Sequence, residues 1–114
     1  MDLAQLQEDS YRVSRDHGFW STAEQQNIPS KIALAHSELS EALQCYREGQ
    51  MALTFEYDES AGINGKPEGF GVELADAIIR ICDIAEYLGI DLTSLIELKQ
   101  SYNEGRPHMH GRRV

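Results

Sequence analysis

Apolar residues recur at helical spacing in four separate stretches of the chain. Ile32, Ala35, Leu39, Leu43 and Tyr46 follow one another at steps of three and four. They predict a helix over 30–49 with these side chains as its core stripe, Pro29 suited to its first turn and Gly49 stopping it. Leu74, Ile78, Ile81, Ala85 and Leu88 predict a second long helix over 68–88, facing inward and ending at Gly89. A weaker pattern of Leu3, Leu6, Tyr11 and Val13 predicts a helix over much of 2–17, followed by Gly18. A shorter helix at about 91–103 begins after Gly-Ile-Asp and leads into a tail rich in Arg and His. Between the long helices, 50–66 loses the periodicity and carries Gly62, Asn64 and Gly65, which favours a loop with a strand-like MALTFEY piece, and Pro67 can begin the next element. The expected fold is all-α: a helical bundle of two long central helices plus shorter helices, forming a single domain over 1–114.

Polar positions within the long helices change this picture. Glu38 and Glu41 stand at i, i+3, about 60° apart around the axis and ~4.5 Å apart along it. Leu34 and Cys45 fall on the same flank, where a purely solvated face would be more polar. Glu73 and Asp76 repeat the spacing and, with Arg80, Asp83 and Tyr87, form one narrow polar stripe on an otherwise apolar helix. Glu-x-x-Glu is common on exposed helices, so either pair alone carries little. Two such pairs on adjacent helices would repel across a low-dielectric cleft unless cations lay between them. All four candidates are oxygen donors, which favours Mg²⁺ or Mn²⁺ over Zn²⁺, and no His occupies the Glu-x-x-His spacing of di-iron bundles.

Charge narrows the partners. Ten Lys and Arg against nineteen Asp and Glu give a net charge of −9, which argues against nonspecific attraction to a nucleic-acid polymer or an anionic membrane. A polyphosphate remains compatible if divalent cations sit between it and the acids. The N-terminus lacks a basic and then an apolar signal region, and charged residues interrupt the apolar stretch 72–90, so a soluble, unexported, cytoplasmic chain is expected. Cys45 and Cys82 each fall inside a helical apolar pattern, where reduced packing is favoured over a disulfide. At 114 residues, a homodimer or homotetramer would add substantially to the buried surface.

The order Glu-x-x-Glu, then Glu-x-x-Asp, on successive helices resembles the MazG-like branch of the all-α nucleoside triphosphate pyrophosphohydrolases. HSELSEAL, the Lys-Pro-Glu-Gly of 66–69, ELADAIIRICD, and the closing Lys99, Asn103, Arg106-Pro107 and His110-Gly111 extend the likeness over most of residues 30–114. The resemblance implies Mg²⁺-dependent cleavage of a nucleoside triphosphate between the α- and β-phosphates, in a homodimer or dimer of dimers. Glu38, Glu41, Glu73 and Asp76 would be its catalytic, metal-binding acids, and Lys99 and Asn103 would reach phosphate or sugar.

Outside the acids each candidate has a plainer reading. Lys99 and Asn103, at i, i+4, also suit an ordinary helix surface. Arg106, His108, His110, Arg112 and Arg113 could fold over phosphates or form a mobile terminus. His108-Met-His110 is a weak zinc signal, and His36 suits a packing or supporting role. Phe19 and Trp20 could stack on a base in a substrate-binding role, or staple the first helix. The rival to an enzyme is a noncatalytic helical interaction module whose acids bind a structural cation or a basic partner.

Overall fold

The computed structural model describes residues 1–50, 56–58 and 65–112, with no account of the His110 side chain or of those at 56–58. Four helices carry the described chain: α1 (Leu3–Asp16), α2 (Ile28–Arg47), α3 (Phe70–Tyr87) and α4 (Leu92–Glu104), with a 3₁₀ turn at His108–Gly111. Three of the four starts have a local cause. The side chains of Asp2, Asn27 and Asp91 accept from the backbone N–H groups of Gln5, Ser30 and Ser94, at 2.8, 3.0 and 3.2 Å, capping α1, α2 and α4. The two long helices end alike: Gly49 and Gly89 turn the chain at φ +73° and +72°. Behind them Gln50 N–H reaches Cys45 O and Ile90 N–H reaches Ala85 O, both at 2.8 Å, which satisfies carbonyls that the helix leaves open.

Strands β1 (Glu56–Asp58) and β2 (Lys66–Glu68) pair antiparallel, with Tyr57 opposite Pro67. Pro67 thus lies in a two-stranded ladder, not at a helix start; a strand with no further neighbour tolerates its missing N–H. Of the strand-like MALTFEY piece, Glu56 and Tyr57 lie in β1, and 51–55 fall outside the described residues.

Helix α3 is central, packed against α2 on one side and α1 on the other. The α2–α3 seam uses small side chains: Ala35 and Ala42 from α2, and Ala77 and Ala85 from α3, are all buried. Small residues let the backbones approach closely, and Cys82 and Cys45 are both free thiols. Gln7 of α1 ties the opposite side down. Its Nε2 donates to Ile90 O at 2.7 Å and Glu86 Oε2 at 3.3 Å, while its Oε1 accepts from Leu92 N–H at 3.1 Å, so this buried amide is well satisfied.

The expected core stripes do not form the interior of one chain. Leu39 is 51% exposed and Ile78 51%, and Ile32, Leu43, Tyr46, Leu74, Ile81 and Leu88 are likewise exposed; of the ten stripe residues only Ala35 and Ala85 are buried. Helix α1 packs on α3 away from these stripes, and the bulky apolar flank of α2 and α3 is left as an open face. Ile32, Leu39, Ile81 and Ile84 line an apolar groove of about 340 Å³ there.

Candidate functional site

The polar stripe of α3 points into the molecule. Asp83 Oδ1 accepts from Trp20 Nε1 at 2.8 Å, and Tyr87 stacks on the Trp20 ring with centroids 3.9 Å apart and planes 7° off parallel. One turn earlier, Arg80 Nε donates to Glu38 Oε1 at 2.7 Å. One further turn back lie Asp76 and Glu73. The stripe therefore runs from an aromatic cluster at one end to the acids at the other.

Carboxylate oxygens of Glu38, Glu73 and Asp76 lie within 4.8 Å of one another. Glu38 and Glu73 are buried in the α2–α3 seam, at 8% and 9% exposure. Glu41, the fourth expected ligand, is exposed and outside this triad, but adjoins it closely enough to bond with both glutamates. The two acid pairs are thus brought into one cluster.

Electrostatics single out Glu73. Burial first, then bonding and repulsion from Glu41, then Glu38 and Asp76, push its carboxyl up to about 7. Asp76 is raised by burial and by Glu38, with Lys66 and Arg80 opposing. Glu38 ends below the ordinary carboxylate range: burial raises it, but Arg80, Glu41 and Glu73 together outweigh that effect. Oε2 of Glu73 is a buried atom with no hydrogen-bond partner among the described residues. Such an orphan is costly unless a proton or a cation completes it. Three clustered oxygen donors, one of them orphaned, fit a hard divalent cation, and the donor set excludes a thiolate- or imidazole-rich zinc site.

Glu38, Glu41 and Asp76, though not the buried Glu73, open on a cavity of about 890 Å³ whose walls come from α1, α2, α3 and the start of β2. Asp9, Ser10, Ser14, His17 and Phe19 form the α1 side; Lys31, Glu38 and Glu41 the α2 side; Lys66, Asp76, Arg80 and Asp83 the remainder. Lys31 is buried and donates from Nζ to Phe19 O, with its ammonium 4.3 Å from the Trp20 ring centroid. Burial lowers its affinity for a proton, and Asp83 opposes that.

Trp20 is not an open stacking surface. It is 5% exposed, one face lies on Tyr87, and Lys31 stands over the ring. Burying the large indole is favourable because Asp83 satisfies its N–H. Phe19 is the aromatic that lines the cavity, at 56% exposure. Lys99, Asn103 and Arg106 also lie elsewhere: none lines the cavity, and Lys99 and Arg106 both sit over the Tyr102 ring, 4.8 and 5.3 Å from its centroid. The tail cation Arg113 falls outside the described residues.

Sequence reasoning passed over Lys31, Lys66 and Asp83 as site residues, and gave Arg80 no task. Arg80 had a signal: a cation one turn after Asp76 on an apolar helix needs a nearby anion. Lys31 and Lys66 had none, since a lysine at a helix start or in a loop is ordinarily solvated. No helix among the described residues is long and apolar enough to cross a membrane. The chain matches no protein-family model, no curated protein and no solved structure.

Proposed function

We propose that the chain is a Mg²⁺-dependent nucleoside triphosphate pyrophosphohydrolase of the MazG-like kind, hydrolysing the α–β phosphate bond to give a monophosphate and pyrophosphate. The observation that carries this reading is the convergence of Glu38, Glu73 and Asp76, with one buried Glu73 oxygen left without a partner among the described residues and with Glu38 and Asp76 lining a cavity large enough for a nucleotide. Glu38, Glu73 and Asp76 would hold Mg²⁺, or Mn²⁺ in its place, with Glu41 beside them. A divalent cation there supplies charge neutralisation for the phosphates and acidifies a bound water. One of the four acids would accept that water's proton. The wide α1 side of the cavity, with Phe19, Ser10 and Ser14, leaves room for a base and sugar.

The open apolar face of α2 and α3 supports a homodimer or homotetramer. Leu39, Ile78, Ile81 and their neighbours form a contiguous surface of the kind that monomers rarely leave to water. Removing damaged or surplus nucleotides is the role that suits such a hydrolase.

The direct test is incubation with common and modified nucleoside triphosphates, with and without Mg²⁺, followed by detection of pyrophosphate. Mg²⁺-dependent release from at least one nucleotide is expected. No release from any, with Mn²⁺ also tried, would favour the noncatalytic cation-binding module.

A further inference from the structure

Arg80 is held in an unusual way for a residue beside a cation site. Its Nε donates to Glu38 Oε1 at 2.7 Å, and Glu38 is itself one of the clustered acids. No bond from its Nη1 or Nη2 is found among the described residues, and the side chain is 41% exposed where it lines the cavity. A guanidinium anchored through Nε presents its remaining N–H groups as a planar fork, and this fork matches two oxygens of a phosphoryl group. The anchor leaves the acid usable, since a carboxylate that accepts at one oxygen retains the other for ligation.

Simple charge balance does not account for the arrangement. If Arg80 existed only to neutralise the acids, it would serve best beside Glu73, whose orphaned oxygen lacks any partner. Instead it caps the Glu38 edge, and Lys66 lines the same cavity with its charge felt at Asp76. Two cations therefore adjoin the acid cluster, and neither partners the orphaned oxygen of Glu73. A polyphosphate lying across a divalent ion needs donors on both sides for the oxygens that the ion does not take.

We infer that Arg80 is a phosphate-binding residue, oriented by Glu38 so that its Nη groups grip the polyphosphate chain of a nucleotide beside the metal-binding acids, with Lys66 in the same cavity as a second cation. The inference rests on the reading of Glu38, Glu73 and Asp76 as a divalent-cation site. It makes Glu38 a bridge that fixes metal and phosphate relative to one another. It also separates two effects of one substitution: removing the Arg80 charge weakens the hold on an anion and relieves repulsion toward a metal ion.

The experiment is isothermal titration of wild-type protein, Arg80→Gln and Arg80→Lys, first with Mn²⁺ and then, on the Mn²⁺-loaded proteins, with inorganic pyrophosphate. Circular dichroism checks that each variant is helical. Arg80→Gln is expected to weaken pyrophosphate binding about tenfold or more while Mn²⁺ binding is kept or tightened, and Arg80→Lys to recover part of the loss. Pyrophosphate affinity within about twofold of wild type on Mn²⁺-loaded Arg80→Gln would overturn the inference and leave the metal reading standing. Parallel loss of Mn²⁺ and pyrophosphate affinity would also overturn it, by showing that Arg80 only orders Glu38. Wild-type protein that binds no Mn²⁺ would overturn the metal reading and the inference together.

Discussion

Trp20 Nε1 and Asp83 Oδ1 meet at 2.8 Å across 63 residues of sequence, joining the segment after α1 to the C-terminal part of α3. With Tyr87 stacked on the indole and Tyr11 6.2 Å from both rings, this bond sits in a buried aromatic cluster that ties α1 and the segment after it to α3. Trp20→Ala should therefore lower the unfolding free energy by about 3–5 kcal/mol, as expected for loss of a buried aromatic. Urea denaturation followed by circular dichroism measures it. A loss below about 1 kcal/mol, together with impaired nucleotide binding, would return Trp20 to a ligand-stacking role.

The Glu73 carboxyl has a raised proton affinity in the fold, so protonation favours the folded state. Its contribution is fully present below its ordinary value of 4.5 and is lost as pH rises through about 7. Asp76 shifts in the same direction, while Glu38, lowered in the fold, acts in the opposite sense and only at acid pH. Metal-free protein should accordingly be less stable at pH 8.5 than at pH 5.5. Glu73→Gln should remove most of that difference, and millimolar Mg²⁺ should restore wild-type stability at the higher pH. Identical melting profiles for wild type and Glu73→Gln across this range would mean that Glu73 is solvated as an ordinary acid.

Asp76→Asn or Glu41→Gln should reduce turnover by orders of magnitude at limiting Mg²⁺ while the helices stay intact. Either change relieves carboxylate repulsion, so the metal-free variant should melt at the same or a higher temperature than wild type. The larger effect is expected from Asp76, which belongs to the close triad, than from Glu41 at its edge. Wild-type turnover in Asp76→Asn would exclude it as a ligand.

Leu39→Glu combined with Ile78→Glu places charge on the open face of α2 and α3 without touching the seam, since both side chains are 51% exposed. Light scattering coupled to gel filtration should show wild-type protein at twice or four times the chain mass, and the double variant at a lower mass. A monomeric wild type at tens of micromolar would mean that this face is covered by something other than a second copy.

Hydrolysis in ¹⁸O-labelled water should place the label in the nucleoside monophosphate and leave the pyrophosphate unlabelled. Attack at the α-phosphorus is expected because several acids can hold more than one Mg²⁺, enough to grip the α-phosphate and the leaving pyrophosphate together. The chain has no G-x-x-x-x-G-K-[ST] segment to cradle β- and γ-phosphates. Label in pyrophosphate, or release of inorganic phosphate, would overturn the mechanism even if the acids bind metal.

Much of this architecture was legible from residue order. Helix positions follow from local chemistry: Asp91 capping α4, or Gly49 and Gly89 taking the positive φ that ends α2 and α3. These are interactions within a few residues, and a linear pattern records them well. The acid pairs were legible for the same reason, since i, i+3 spacing puts two carboxylates on one flank whatever the helix packs against. Which flank faces inward was not legible. Periodicity marks the bulkiest apolar stripe, as with Leu39 and Ile78, but a close helix seam selects small side chains such as Ala42 and Ala77, and α1 docks on α3 away from that stripe. Burial is a property of neighbours, and neighbours are chosen by the docking of distant segments. For that reason the Arg80–Glu38 pair, the burial of Trp20 beneath Lys31, and the absence of Lys99 and Arg106 from the cavity emerge only once α1, α2 and α3 are packed together.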